Sequence, residues 1–517
     1  MSGFENAPGA LARTLMLQGT ASDVGKSLLV AGLGRVFARR GVSVAPFKSQ
    51  NMALNAHVTR TGLEIGRAQA LQAQACGVEP EVDMNPILIK PQGDMVAQVV
   101  VQGRPAFRRT AAEYHERKPA LRGIVAASLE RLRRRFDLVL IEGAGSPAEI
   151  NLRDRDLVNM FVARIADAPV LLVGNIDRGG VFAHLVGTLA LLEPEDRARV
   201  AGLIINRFRG DLSLLTPGLE ELETLAGVPV AGVVRHVPDL RFAAEDSLSV
   251  PARLARSAAP DDEIEVGIVR FPRASNLDEF DALTWEDGVS VRYVTHPAEA
   301  GRADLLVLPG SKNTLGDLAW LRDRGFERVL EQRMDRGDPV LGICGGCQML
   351  GRRIDDPDGI EAEAASSVRG LGLLPLETRF AAGKRTLQVR VSNGDAESVF
   401  GRFEGASGYW IHSGQAQRLQ GNPPVTVTHS DCVDPQPDGA LDERGGTTVV
   451  GTMVHGLLEN EAPRRNLLRF LAKRRNRTWS AGPPVPSVES ELDRVADAIE
   501  EALDIEAIDA ITHRGKR

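Results

Sequence analysis

Q-G-T-A-S-D-V-G-K-S, residues 18–27, decides how the first half of this 517-residue chain folds. It follows an apolar run, R-T-L-M-L-Q-G (13–19), and leads into an apolar helical pattern from Lys26 to Arg39. Strand, glycine-bearing turn and helix in this order make a phosphate-binding loop. Backbone N–H groups and a helix N-terminus hold phosphate oxygens, Lys26 adds positive charge, and the Ser27 hydroxyl is suited to Mg²⁺. The common spacing is G-x-x-x-x-G-K-[ST]; here Gly19 lies one residue too far from Gly25, so the loop is a variant. Gly19, Thr20, Asp23, Gly25, Lys26 and Ser27 are the candidate nucleotide contacts.

Moving outward, S-V-A-P-F-K (43–48), F-D-L-V-L-I-E-G-A-G (136–145), A-P-V-L-L-V-G-N-I (168–176) and V-A-G-L-I-I-N-R-F (200–208) are further strands. They are apolar throughout rather than alternating, as in a parallel sheet covered on both faces. The expected class is α/β. A carboxylate at the end of such a strand faces the crevice where nucleotides bind, which makes Glu142 a Mg²⁺ candidate. Asp177, in N-I-D-R-G-G-V-F, is a second metal candidate. Asn206 either reaches a nucleotide base or forms a buried turn.

Between 236 and 262 the pattern breaks, with Pro238, Pro251 and Pro260 among small and charged residues, and this stretch reads as a linker. It separates a nucleotide-binding domain (12–235) from a second α/β domain (263–475) with strands at 263–271, 289–295, 303–310 and 339–344, and further ones at 386–392 and 447–454. The remainder, 476–517, is a tail. Within it Val488, Leu492, Val495, Ile499 and Leu503 fall on one helical face, suited to packing or to a dimer contact.

P-V-L-G-I-C-G-G-C-Q-M-L-G (339–351) ends a strand at a cysteine between glycines and begins a helix. This is the thiol form of a nucleophile elbow, in which the helix N-terminus favours thiolate at Cys344. L-P-G-S-K-N-T (308–314) is a second strand-to-turn stretch, and N–H groups at Gly310 and Gly345 could form an oxyanion hole. The base is expected to be His455, which follows the strand V-V-G-T-M-V. His412, in G-Y-W-I-H-S-G, competes for that role but suits a structural or substrate-lining position better. Cys344 and Cys347 also form a C-x-x-C. No thioredoxin-like pattern surrounds it and no second metal-ligand pair accompanies it.

Composition excludes some classes. Lys plus Arg number 62 against 69 Asp plus Glu, a net charge of −7 that disfavours a nucleic-acid binder. Four cysteines do not make a disulfide scaffold. No apolar run approaches the roughly 20 residues that span a bilayer, and no secretory signal is evident, so the expected location is the cytoplasm.

K-S-Q-N-M-A-L-N-A (48–56), M-N-P-I-L-I-K-P-Q-G-D (84–94), I-E-G-A-G-S-P-A-E-I-N-L (141–152) and N-I-D-R-G-G-V-F-A (175–183) resemble the cobyric acid synthase family of cobalamin biosynthesis. The first domain is similar to the dethiobiotin synthetase type of P-loop NTPase, the second to class I glutamine amidotransferases. The resemblance implies ATP, Mg²⁺, glutamine and a corrinoid as small-molecule ligands, and no redox cofactor. It implies that ATP activates the b, d, e and g carboxylates of adenosylcobyrinic acid a,c-diamide as acyl phosphates, and that ammonia from glutamine amidates them. Cys344 would be the nucleophile and His455 the base. Lys48, Asn51, Tyr409 and His412 are candidates for contacting the corrinoid. Many amidotransferases carry a Glu two residues beyond the base; here that position is Leu457, which leaves open what orients His455. Glu459 is the nearest carboxylate in sequence. The nearest alternative is cobyrinic acid a,c-diamide synthase, against which the 48–56 and 84–94 strings weigh. A non-catalytic nucleotide switch is the alternative of another class, and an intact Cys344 and His455 weigh against it.

Overall fold

The computed structural model describes residues 11–91, 96–241, 263–362, 364–394, 399–430, 432–443 and 446–513. The chain divides into two compact units, Met1–Ala53 with Leu63–Arg241 and Pro486–Arg517, and Leu54–Gly62 with Phe242–Val485. Of the expected linker, residues 242–262 lie outside the described residues.

The first unit is built on a six-stranded parallel sheet. From one edge its strands are Val230–Arg235, Val200–Phe208, Val170–Asn175, β1 (Arg13–Gly19), Leu138–Glu142 and β2 (Val44–Phe47). All five strands read as continuous apolar runs are in it. The edge strand Val230–Arg235 escaped the sequence reading, since its V-A-G-V-V-R is short and interrupted by glycine. β1 is central, and helix α1 (Lys26–Arg39) carries the chain from it to β2, with Leu138–Glu142 lying between the two. The strand order therefore opens a crevice at the carboxyl ends of β1 and Leu138–Glu142, where the loop 18–27 and Glu142 both lie. A smaller sheet of Gln50–Met52, Ile87–Pro91, Val96–Val101 and Arg104–Thr110 takes in 50–52 of the first string and 87–91 of the second.

Of the expected tail 476–517, Pro486–Arg517 groups with this unit and the residues before it with the second unit. Ser487 caps helix Val488–Ala502, its hydroxyl accepting from Ser490 N at 3.1 Å. The apolar stripe Leu492, Val495 and Ile499 is buried, and it meets α1 where Gly32 lets the helices approach. A Cβ on Gly32 would lie 2.3 Å from Ile499 Cδ1. Arg35 with Asp493 (2.8 Å) and Arg39 with Asp497 (2.6 Å) flank that contact. The buried guanidinium of Arg13, on β1, reaches Asp509 at 2.6 Å.

The second unit has its own parallel sheet in the order Val289–Val294, Ile264–Val269, Leu305–Leu308, Val340–Ile343 and Val449–Thr452, with Ala440–Asp442 antiparallel at the edge. Beside it runs a long hairpin, Leu376–Asn393 with Ala406–Arg418, within a second, largely antiparallel sheet. The expected strand 386–392 is one part of that hairpin. The strands Leu305–Leu308 and Val340–Ile343 end at the residues proposed for the oxyanion hole and the nucleophile, so neighbouring parallel strands bring them to one edge.

Candidate active sites

In the first unit the loop after β1 turns through two left-handed residues, Asp23 (φ 58°) and Gly25 (φ 93°). Gly25 is required twice over: its φ is that of glycine, and a Cβ would lie 2.3 Å from Asn206 Nδ2. Asn206 donates to Val24 O at 2.8 Å and accepts from Arg207 N at 2.8 Å, so its amide braces the loop from beneath. Lys26 Nζ donates to Ala21 O (3.0 Å) and Gly145 O (3.3 Å), which holds the ammonium across the loop mouth. A Cβ on Gly19 would lie 2.8 Å from that Nζ, and Thr20 N donates to Val173 O at 2.9 Å.

Ser27 and Glu142 meet as their spacing on α1 and on the strand end requires: Ser27 Oγ donates to Glu142 Oε1 at 2.7 Å. Lys48 Nζ binds the same oxygen at 2.7 Å. Gln72, on helix α2 (Arg67–Ala75), donates from Nε2 to Glu142 Oε2 at 2.6 Å and to Ser27 O at 3.2 Å. Burial pushes the Glu142 carboxyl up, but the Lys48 ammonium and hydrogen bonds from Lys48, Ser27 and Gln72 outweigh it and hold the pKa below the ordinary value. The carboxylate is thus ionised in a dry setting. Two hard oxygen donors, a hydroxyl and a carboxylate, fit Mg²⁺ rather than a soft metal. Asp177 is not brought to them. It pairs instead with Arg209 at 3.4 Å, 41% exposed, because the chain beyond Val170–Asn175 turns outward, with Asp177 N on Asn175 Oδ1. Asp23 is also exposed and faces Arg178 at 3.4 Å. Asn51 is buried, donating to Gln69 Oε1 at 3.0 Å.

In the second unit Cys344 terminates Val340–Ile343 in a strained conformation (φ 49°, ψ −107°), with its N–H on Thr452 O at 2.8 Å. Strain of this kind on a non-glycine residue is held by its surroundings and concentrates at functional positions. Gly345 lies against the backbone of Ser311; a Cβ there would sit 2.9 Å from Ser311 N. A Cβ on Gly310 would lie 2.8 Å from His455 Cε1. Gly310, Gly345, Cys344 and His455 therefore share one locus.

His455 is buried beside Cys344. Its Nδ1 meets Glu279 Oε1 at 2.8 Å, and Glu279 Oε2 accepts from Gly456 N at 3.0 Å. Tyr409 stacks on the imidazole, ring centroids 5.4 Å apart, and exchanges both backbone hydrogen bonds with His455. Burial disfavours the imidazolium, but the charges of Glu279 and then of Cys344 more than offset it, and the pKa rises to about 10. An imidazole beside a cysteine is the arrangement that activates a thiol as a nucleophile.

Glu279 is the residue the sequence reading missed. It lies 176 positions before His455, on the 3₁₀ helix Leu277–Trp285, and is fully buried. One signal was available: N-L-D-E-F-D (276–281) puts three acids among apolar residues directly after a strand, and Asp278, Glu279 and Asp281 are all buried. Leu457 packs in the core.

His412 plays a different part from His455. Its Nδ1 donates to Gly414 O at 2.7 Å, and burial pulls its pKa down to about 4, so the ring is neutral. Cys347 is a free thiol packed toward Gly451, and burial pushes its pKa well up.

Comparison with known proteins accounts for both units. Residues 15–250 match the CobQ/CobB/MinD/ParA nucleotide binding domain, and residues 265–463 the CobB/CobQ-like glutamine amidotransferase domain. The chain is 52% identical to a cobyric acid synthase of Sorangium cellulosum over 98% of its own length and all of that protein. It is 48% identical to one from Rhodococcus jostii over 97% of the chain and 96% of that protein. It is 44% identical to one from Dehalococcoides mccartyi over 98% of the chain and all of that protein. Phosphate loop, thiol–imidazole pair and near full-length likeness agree, and the chain belongs to the cobyric acid synthase family.

Proposed function

We propose that this enzyme uses ATP and glutamine to convert the b, d, e and g carboxylates of adenosylcobyrinic acid a,c-diamide into carboxamides, giving adenosylcobyric acid. The full-length likeness to cobyric acid synthases carries this reading, and two chemically complementary sites on one chain support it.

At the glutaminase site, Cys344 Sγ attacks the side-chain carboxamide carbon of glutamine. The developing oxyanion is met by backbone N–H groups at Gly310 and Gly345. His455 gives its proton to the departing nitrogen, the C–N bond breaks and ammonia leaves. His455 then takes a proton from water, which hydrolyses the thioester to glutamate. Glu279 holds the ring with one nitrogen toward the cysteine and stabilises the imidazolium.

At the nucleotide site, an oxygen of the substrate carboxylate displaces ADP from the γ-phosphorus of ATP. Ammonia then attacks the acyl carbon, inorganic phosphate departs with the former carboxylate oxygen, and a carboxamide remains. Lys26 and the loop N–H groups bind the phosphates. Ser27 and Glu142 would hold Mg²⁺, whose charge would offset that of the phosphates. Lys48, which contacts the same Glu142 oxygen, would meet the substrate carboxylate.

The test is mass spectrometry of the a,c-diamide incubated with enzyme, ATP, Mg²⁺ and glutamine. Four successive decreases of about one mass unit, OH replaced by NH₂, are expected. An unchanged substrate mass would reject the assignment.

A further inference from the structure

Helix α2 turns Gln72 toward the Ser27–Glu142 pair, where the side chain is 1% exposed. Its nitrogen is committed twice, to Glu142 Oε2 at 2.6 Å and to Ser27 O at 3.2 Å. Both partners are acceptors, so the amide cannot be flipped: the reverse orientation would set its oxygen against a carboxylate and a carbonyl. The position of Gln72 Oε1 is therefore fixed by the hydrogen bonds of the nitrogen. That oxygen is buried and has no hydrogen-bond partner among the described residues.

A buried acceptor left without a donor is uncommon and calls for an explanation. Here the neighbourhood supplies one. Ser27 and Glu142 are hard oxygen donors, and no group of three or more His, Cys, Asp or Glu side chains that could hold a metal is found among the described residues. A cation held by so few protein oxygens keeps much of its water, as Mg²⁺ does beside phosphates. Those waters are strong hydrogen-bond donors and need fixed acceptors around them.

We propose that Gln72 belongs to the cation site, its Nε2 orienting Glu142 and its Oε1 accepting a hydrogen bond from water on the nucleotide-bound Mg²⁺. This rests on the Mg²⁺–nucleotide reading given above. Gln72 is a positioning residue in this assignment, since it acts through Glu142 and through water.

The experiment uses the full chain, with Mn²⁺ as a spectroscopic substitute and ADP as the nucleotide. In the wild type, Mn²⁺ binds in the presence of ADP. Gln72→Ala weakens Mn²⁺ binding by about tenfold or more. ADP binding in EDTA stays within about twofold of wild type, and glutamine hydrolysis is unaltered. Unchanged Mn²⁺ affinity in Gln72→Ala overturns the proposal and leaves the nucleotide reading standing. An equal loss of ADP binding in EDTA also overturns it, by assigning Gln72 to the fold of the loop. A wild type that binds no Mn²⁺ with ADP defeats the nucleotide reading itself and this proposal with it. Should Gln72→Ala fail to fold, Gln72→Asn, which withdraws both amide atoms by one methylene, is read by the same criteria.

Discussion

The two sites each centre on one fully buried glutamate, yet they are differently prepared. Glu279 is hydrogen bonded to His455, and His455 lies beside Cys344. Glu142 is surrounded instead by Lys48, Ser27 and Gln72, while Lys26 rests on two backbone carbonyls. Acid–base chemistry on a neutral amide needs a thiol and an imidazole aligned before substrate arrives. Phosphate chemistry needs cations that can change partners as a highly charged ligand enters. We propose that the first site is a preassembled relay, and that the second is a set of charges neutralised by protein oxygens until a nucleotide replaces them.

That contrast can be broken most sharply at the nucleophile. Cys344→Ala is expected to lower glutamine-dependent amidation by about 10³-fold or more while ammonium salts still support it. Loss of both would contradict two separable chemistries, and amide formation from each nitrogen source measures it. Lys26→Ala is expected to depress both nitrogen sources together, by about 10²-fold or more, with glutamine hydrolysis itself largely retained. An unaltered rate with ammonia would remove Lys26 from phosphate binding.

Glu279→Gln tests the orienting carboxylate. Glutaminase kcat should fall by about 10²-fold or more, since an amide can stabilise neither the imidazolium nor its tautomer. The pH profile adds a sign. Glu279 and Cys344 raise the pKa of His455 to about 10; without Glu279 the alkaline limb of glutamine hydrolysis moves to lower pH. The same group links to stability. Because the folded pKa is raised, its contribution is fully present below about pH 6.5 and is lost as pH rises through about 10. The wild-type advantage over the variant in denaturant should therefore shrink across that alkaline window, and a pH-independent difference would count against the ion pair. The smallest effect on chemistry belongs to Ile499→Ala, which empties the contact at Gly32. A destabilisation of about 2–4 kcal/mol is expected in urea unfolding of the first unit, with glutamine hydrolysis preserved; no change in stability would mean that the terminal helix is dispensable.

Much of the fold could be read directly because its strands are continuous apolar runs, and each predicted run of the first unit lies in the parallel sheet. What escaped was short or mixed in character. Val230–Arg235 has a glycine in its middle, and the four-stranded sheet around Ile87–Pro91 mixes short apolar strands with the polar Q-N-M and R-P-A-F-R-R-T, so neither carries a strong period. The terminal helix was visible as an amphipathic stripe, but a stripe does not name its partner; α1 at Gly32 does.

Local chemistry was legible where one segment contains it. G-K-S at the head of α1, a glutamate at a strand end and a cysteine between glycines all depend on backbone geometry within a few residues. The sequence reading set His455 at the end of the strand V-V-G-T-M-V and preferred it to His412 as the base. It could not place Asp177, whose path depends on how the chain leaves its strand, and it could not find Glu279, whose contact closes a loop of 176 residues. Spacing along a chain determines what lies on one turn or one strand end. Which distant carboxylate completes an imidazole, and which lysine neutralises a buried glutamate, is decided only when separate elements pack and water is excluded between them.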